Sequence, residues 1–235
     1  MIPAGPDSPA VDPLTERDPV RMGRYVLQGR LGSGGMGTVF LGRSPSGRAV
    51  AVKTIHPHLA RDPQFRARFA REVAAAVRVN GFYTAQVVDA DADAPVPWMA
   101  TRFIDGPSLT QRVATDGPLP PPEVFRLAAG IAEALVCIHA EGLVHRDLKP
   151  SNVVLAAEGP QVIDFGIARV VEPGALTTDD GTLTGTGGVV GTFEYMSPEQ
   201  AAGEPVTTAT DVFSLGGLLH FAATGRPAFG SGHPL

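Results

Sequence analysis

Three side chains within six positions carry the densest chemistry in this sequence. Asp147, Lys149 and Asn152 lie in the string His145-Arg146-Asp147-Leu148-Lys149-Pro150-Ser151-Asn152. Pro150 stops a helix there, so the string must be a loop. A carboxylate on such a loop can accept a hydroxyl proton, an ammonium can neutralise a phosphoryl group, and an amide oxygen can hold magnesium. Twelve residues past Asn152, Asp164-Phe165-Gly166 adds a carboxylate suited to a metal that bridges phosphates. Far upstream, Gly32-Ser33-Gly34-Gly35-Met36-Gly37-Thr38-Val39 reads G-x-G-x-x-G-x-V. Glycines let backbone amides approach phosphate oxygens where a side chain would collide. Taken alone, the same run is equally an ordinary Gly-rich hairpin. A strand, not a helix, follows it, which disfavours a dinucleotide-binding turn. Lys53 ends the alternating apolar run Val50-Ala51-Val52-Lys53, and a buried charge persists mainly when paired. Glu72, nineteen residues later among Phe69, Val73 and Ala76, offers an ion-pair partner; two solvated side chains are the other reading.

The elements that must position these groups follow from periodicity and punctuation. Residues 25–31, 38–42 and 49–55 read as short strands, the first two joined by the glycine run and the next pair by Ser44-Pro45-Ser46-Gly47. Asp62 caps a predicted helix with Pro63 at its first position, and Phe65, Phe69, Val73, Ala76 and Val77 recur at helical spacing. Strands are expected over 85–89 and 98–104. After Asp105-Gly106-Pro107 the pattern changes. Val124, Leu127, Ala128, Ile131, Leu135 and Ile138 mark one apolar face of a long helix ending near Gly142. Short strands are expected at 153–155 and 161–163, a polar Gly/Thr-rich stretch at 172–188, and a further helix at 208–223. The architecture is α+β and bilobal: a small antiparallel-sheet lobe at 24–104, including a linker, and a mostly helical large lobe at 105–235. Residues 1–23, with five prolines and four acidic residues, are expected to be a disordered tail.

Bulk properties narrow the function classes. The 235 residues can fill two lobes, and the net charge of −5 without a basic run gives no sign of nucleic-acid binding. The one cysteine, Cys137, sits in an apolar helical pattern and is expected as a small core residue in a reducing, cytoplasmic setting. No apolar run is long enough for a membrane span. The histidines form no metal-spaced cluster.

In order and spacing, the four motifs together resemble the eukaryotic-like (Hanks-type) Ser/Thr protein kinases of bacteria over residues 24–230. Gly191-Thr192 followed by Tyr195-Met196-Ser197-Pro198-Glu199 resembles the end of that family's activation segment, with Ser197 where Ala is usual. Asp211-Val212-Phe213-Ser214-Leu215-Gly216 resembles the start of its central large-lobe helix, with Phe213 where Trp is common. The resemblance implies a fold of two lobes, with the large lobe truncated after its central helix. It implies ATP and Mg2+ (or Mn2+) as cofactors, protein substrates, and self-association of the shortened lobe. By the same resemblance Asp147 is the catalytic base, Lys149 neutralises the transferring phosphoryl group, and Lys53, paired with Glu72, contacts the nucleotide phosphates. Asn152 and Asp164 hold the metal. Leu31, Gly32, Ser33, Gly34, Gly35, Met36, Gly37, Val39, Ala51 and Val154 line the nucleotide site. Thr101 takes the gatekeeper position, and the backbone of Arg102 and Ile104 bonds the adenine edge. Arg102 stands where an acidic residue is common, a change that leaves a backbone contact intact. Thr192 faces the substrate side, and Thr184 and Thr186 are the expected activation-loop phosphorylation sites. A membrane anchor in a longer protein would leave this domain on the cytoplasmic side. The competing reading is a nucleotide-binding but catalytically incompetent kinase fragment or scaffold.

Overall fold

The computed structural model describes residues 11–164 and 193–229. Six strands form one antiparallel sheet: β1 (Arg21–Met22), β2 (Tyr25–Gly34), β3 (Gly37–Arg43), β4 (Ala49–Ile55), β5 (Val87–Asp91) and β6 (Trp98–Arg102), in the order β1-β2-β3-β4-β6-β5. Two helices interrupt it in sequence, α1 (Pro57–Ala60) and α2 (Pro63–Ala76). The Asp62 side chain accepts a hydrogen bond from the Gln64 amide and Pro63 sits in the first turn, so α2 begins where the sequence signals it. Helices α3 (Leu109–Asp116) and α4 (Pro121–Ala140), the β7 (Val153–Ala156)–β8 (Gly159–Val162) hairpin, α5 (Pro198–Ala201) and α6 (Thr208–Thr224) build the second half.

Strand alternation decides what the sheet offers to each side. Phe40, Val50, Val52 and Ala100 point one way and close a core with Tyr25, Leu27 and Trp98. Val39, Ala51, Lys53 and Thr101 point the other way and stay only half buried. Register confirms the shared face, because Val39 pairs with Lys53 and Ala51 with Thr101. The larger core runs from Phe65, Phe69 and Val73 of α2 through Met99 to Leu127, Ile131, Leu135 and Ile138 of α4 and Leu218 of α6. That continuity ties the halves together. Half-buried Cys137 packs against this core.

Three local features differ from expectation. Residues 11–22 are not a free tail: Asp12 bridges Arg30, β1 pairs with β2, and Leu14 packs on the sheet core. Proline and aspartate lower the apolar content of this stretch, but Arg30 supplies an ionic partner that Asp18 meets at 2.7 Å. Helix α3 was not anticipated; a capping box starts it, with Ser108 accepting from the Gln111 amide and Gln111 accepting from the Ser108 amide. Strand β2 runs on into the glycine segment, where Gly34 pairs with Gly37. Among the described residues no helix is long and apolar enough to cross a membrane.

Candidate active site

The connection between the halves is fixed by close backbone contact. Gly106 has φ +143°, and a Cβ there would lie 2.6 Å from the Leu155 carbonyl oxygen, so only glycine allows this approach. The Leu155 amide donates to Pro107, and Ser108 bridges Val154. Val154 thereby packs with Ile104 and Ala85. The Arg102 amide is used by the Gln86 carbonyl, so a ligand contact from Arg102 falls to its own carbonyl.

The loop 145–152 is held from below by one buried carboxylate. Asp211, in the first turn of α6, has no exposed surface. It accepts from the His145 amide at 2.8 Å, the Arg146 amide at 2.9 Å and His139 Nε2 at 2.7 Å. His145 is fully buried, and desolvation holds its imidazole below the usual pKa. Its Nδ1 accepts from the Asp147 amide and its Nε2 donates to the Ile163 carbonyl, each at 3.3 Å. The neutral ring thus joins the loop to the strand leading to Asp164. Arg146 (φ +63°) and Asp164 (φ +56°) are the two described non-glycine residues in the left-handed region, and both lie here.

Asp147, Lys149 and Asn152 come together as the spacing suggests. Lys149 Nζ is 3.0 Å from Asp147 Oδ2, and Asn152 Nδ2 donates to the Asp147 carbonyl at 2.8 Å and to its Oδ2 at 3.2 Å. The Asn152 carbonyl accepts from Ile163, which brings Asp164 beside the loop. The Lys53–Glu72 ion pair is not made. Lys53 pairs with Asp164, while Glu72 Oε1 lies 3.3 Å from Arg146 Nη1. Packing brings each of these two cations to a carboxylate of another element. Thr184, Thr186 and Thr192, with Phe165 and Gly166, lie outside the described residues.

The glycine run divides on steric grounds into one position the fold requires and three it does not. A Cβ at Gly37 would lie 1.7 Å from the Thr54 carbonyl oxygen, so the fold itself requires glycine there. Gly32, Gly34 and Gly35 are different: none has positive φ, and a Cβ on any of them meets nothing within 4 Å. Neither backbone conformation nor packing asks for glycine at those three. Asn152 and Asp164 together offer an amide oxygen and a carboxylate, a donor set that suits magnesium shared with phosphates.

A protein kinase domain model matches residues 25–234. The chain belongs to the protein kinase domain family. It is 58% identical over 219 residues to a probable serine/threonine-protein kinase, PkwA, of Thermomonospora curvata, covering 93% of this chain and 29% of that one. It is 56% identical over 226 residues to the serine/threonine-protein kinase AfsK of Streptomyces coelicolor, covering 96% and 27%. The chain therefore spans less than a third of the length of these curated relatives. The kinase domain of Mycobacterium tuberculosis PknI matches in structure with a TM-score of 0.69 and 30% identity, covering 88% of this chain and 77% of that one. The bacterial Ser/Thr kinase resemblance and the α+β fold thus stand. Kinase-domain residues missed in the sequence are Asp211 as the loop's anchor and Gln200, whose Nε2 donates to the Arg146 carbonyl at 2.8 Å. Ser197-x-x-Gln200 is a capping-box signature that could have marked the latter, and it forms here.

Proposed function

We propose that this domain transfers the γ-phosphoryl group of ATP to Ser or Thr hydroxyls of proteins. The observation that carries the reading is the joined set Asp147, Lys149 and Asn152, hung on Asp211 and linked through Ile163 to Asp164. In this reading the Asp147 carboxylate orients the acceptor hydroxyl and takes its proton. The Lys149 ammonium offsets charge on the moving phosphoryl group. Lys53 must exchange Asp164 for phosphate oxygens. Asn152 and Asp164 would hold magnesium or manganese, which when bound spreads the negative charge of the phosphates. Leu31, Val39, Ala51 and Val154 would enclose the adenine, with the Arg102 carbonyl and Ile104 amide at its edge and Thr101 behind it. The protein forms no covalent bond, so positioning and charge stabilisation supply the catalysis. Thr184 and Thr186 are the proposed autophosphorylation sites, Thr192 is assigned to the substrate side, and a cytoplasmic setting suits the lone thiol.

A second reading, nucleotide binding without transfer, is favoured by one observation: Lys53 and Glu72 are each paired elsewhere. Incubation with labelled ATP and magnesium separates the two. Transfer to a generic protein acceptor or to the chain itself supports the kinase reading. Nucleotide-dependent thermal stabilisation without transfer supports the second, and neither signal refutes both.

A further inference from the structure

Three contacts reach the tip of the glycine-rich hairpin from outside it, and two of them come from His56, a residue outside every motif above. The β2–β3 ladder ends at the Gly34–Gly37 pair, leaving Gly35 and Met36 as a turn. Such a glycine turn has wide backbone freedom, and ordering it on ligand binding opposes affinity. Here the His56 amide donates to the Met36 carbonyl at 2.9 Å, and His56 Nε2 lies 2.8 Å from the Gly34 carbonyl oxygen. Gly37 packs directly on the Thr54 carbonyl. His56 is itself set in place: Pro57 confines it to extended backbone, φ −60° and ψ 141°, and its ring stacks on His58 with centroids 5.7 Å apart.

We propose that His56 is a positioning residue that presets the glycine-rich turn for nucleotide phosphates. The proposal rests on the kinase reading. Its physical core is the planar trans peptide. When the Gly34 carbonyl is drawn toward the imidazole, the Gly35 amide in the same peptide plane must point the opposite way. That N–H is thereby turned away from His56, and the ground at Gly35 is open, since a Cβ there finds no neighbour; a phosphate oxygen can approach it. A carbonyl oxygen only accepts, so this contact requires the proton on Nε2.

The test compares His56→Ala and His56→Gln, the latter keeping an Nε2 donor of similar reach. Calorimetry with magnesium and a non-hydrolysable ATP analogue reads phosphate binding, and adenosine serves as the phosphate-free control. His56→Ala should weaken the analogue by about three- to tenfold, the worth of one hydrogen bond, and leave adenosine unchanged. Its KM for ATP should rise by the same factor with little change in kcat, and His56→Gln should recover most of the loss. In the nucleotide-free protein, amide hydrogen exchange over 34–37 should quicken in the alanine variant alone. A wild type that binds nucleotide while His56→Ala matches it in affinity and exchange overturns this proposal only. Equal losses for adenosine and the analogue also overturn it, by showing a general loosening. A wild type that binds neither ligand overturns the kinase reading and this proposal with it.

Discussion

The 145–152 loop hangs on a carboxylate with no exposed surface and three donors, whereas Lys53 and Glu72 meet their partners across partly open ground. Asp211 accepts from the His145 and Arg146 amides, so removing its carboxylate takes away both acceptors. The sheet-side pair is of another kind. Lys53 meets Asp164 and Glu72 meets Arg146, and each contact joins separate elements. One region is prearranged by covalent neighbours and buried hydrogen bonds; the other can be rewired by a ligand that brings its own charge. Under the proposed function, such a site would keep Asp147 fixed and let Lys53 exchange Asp164 for phosphate oxygens.

The largest effect is expected on the fixed side. Asp211→Ala removes the acceptor of the His145 and Arg146 amides and of His139 at a site closed to water. Stranding buried donors in this way costs on the order of 3–5 kcal/mol. Urea denaturation should show that loss, and phosphoryl transfer should vanish with it. A variant with wild-type stability would mean the loop is held by something other than this carboxylate.

Next comes the lysine that changes partners. Lys53→Met should lower transfer by about 10²-fold or more, as loss of a charge contact in the transition state does, and should reduce nucleotide affinity much less. Its stability should stay near wild type, since it removes a cation from a partly open cleft. Activity above about a tenth of wild type would show that Lys53 does not meet the phosphates.

The two carboxylates divide along the same line. Asp147→Asn should abolish transfer with ATP affinity nearly intact, because Asp147 acts on the acceptor hydroxyl. Asp164→Asn should weaken magnesium-dependent nucleotide binding and release Lys53. Binding titrations with and without magnesium distinguish them, and equal loss of ATP affinity in both would erase the separate roles.

How much of this was legible in the sequence depends on whether a signal is local. Asp147, Lys149 and Asn152 share one loop, so their spacing alone places them together. Lys53 was readable from strand alternation, whereas Thr101 was named only through the family resemblance; register then carries both to one face. The Lys53–Glu72 pair was misread since a helix and a strand are positioned by packing, and a charge there takes whichever partner the packing brings close. Asp211 was hidden for a related reason: its donors are backbone amides sixty-odd residues away, and no residue type announces them. The N-terminal strap was missed because composition counts apolar residues and is blind to a single well-placed arginine.

That strap gives the smallest effect and one with a distinct pH signature. Asp18 accepts from Arg30 Nε and Nη2 at 2.8 and 2.7 Å, and from the Thr15 amide and hydroxyl. The Arg30 bond holds its carboxyl well below the usual carboxylate range. A depressed folded-state pKa means the contribution is whole above the unfolded value and is lost as pH falls through it toward the folded one. His145 is also depressed, by burial, but from an ordinary value of 6.5 rather than 3.8. Its neutral form is the buried one, so the unfolded chain binds the extra proton and stability begins to decline once pH drops below about 6.5. Thermal melts against pH should therefore show two windows. Wild type and Asp18→Asn should differ by a small constant amount in Tm above about pH 5, share the decline that starts near 6.5, and converge only below 3.8. If the two curves already meet near neutral pH, Asp18 does not tie the strap to β2, and the contacts of Leu14 and β1 hold it alone.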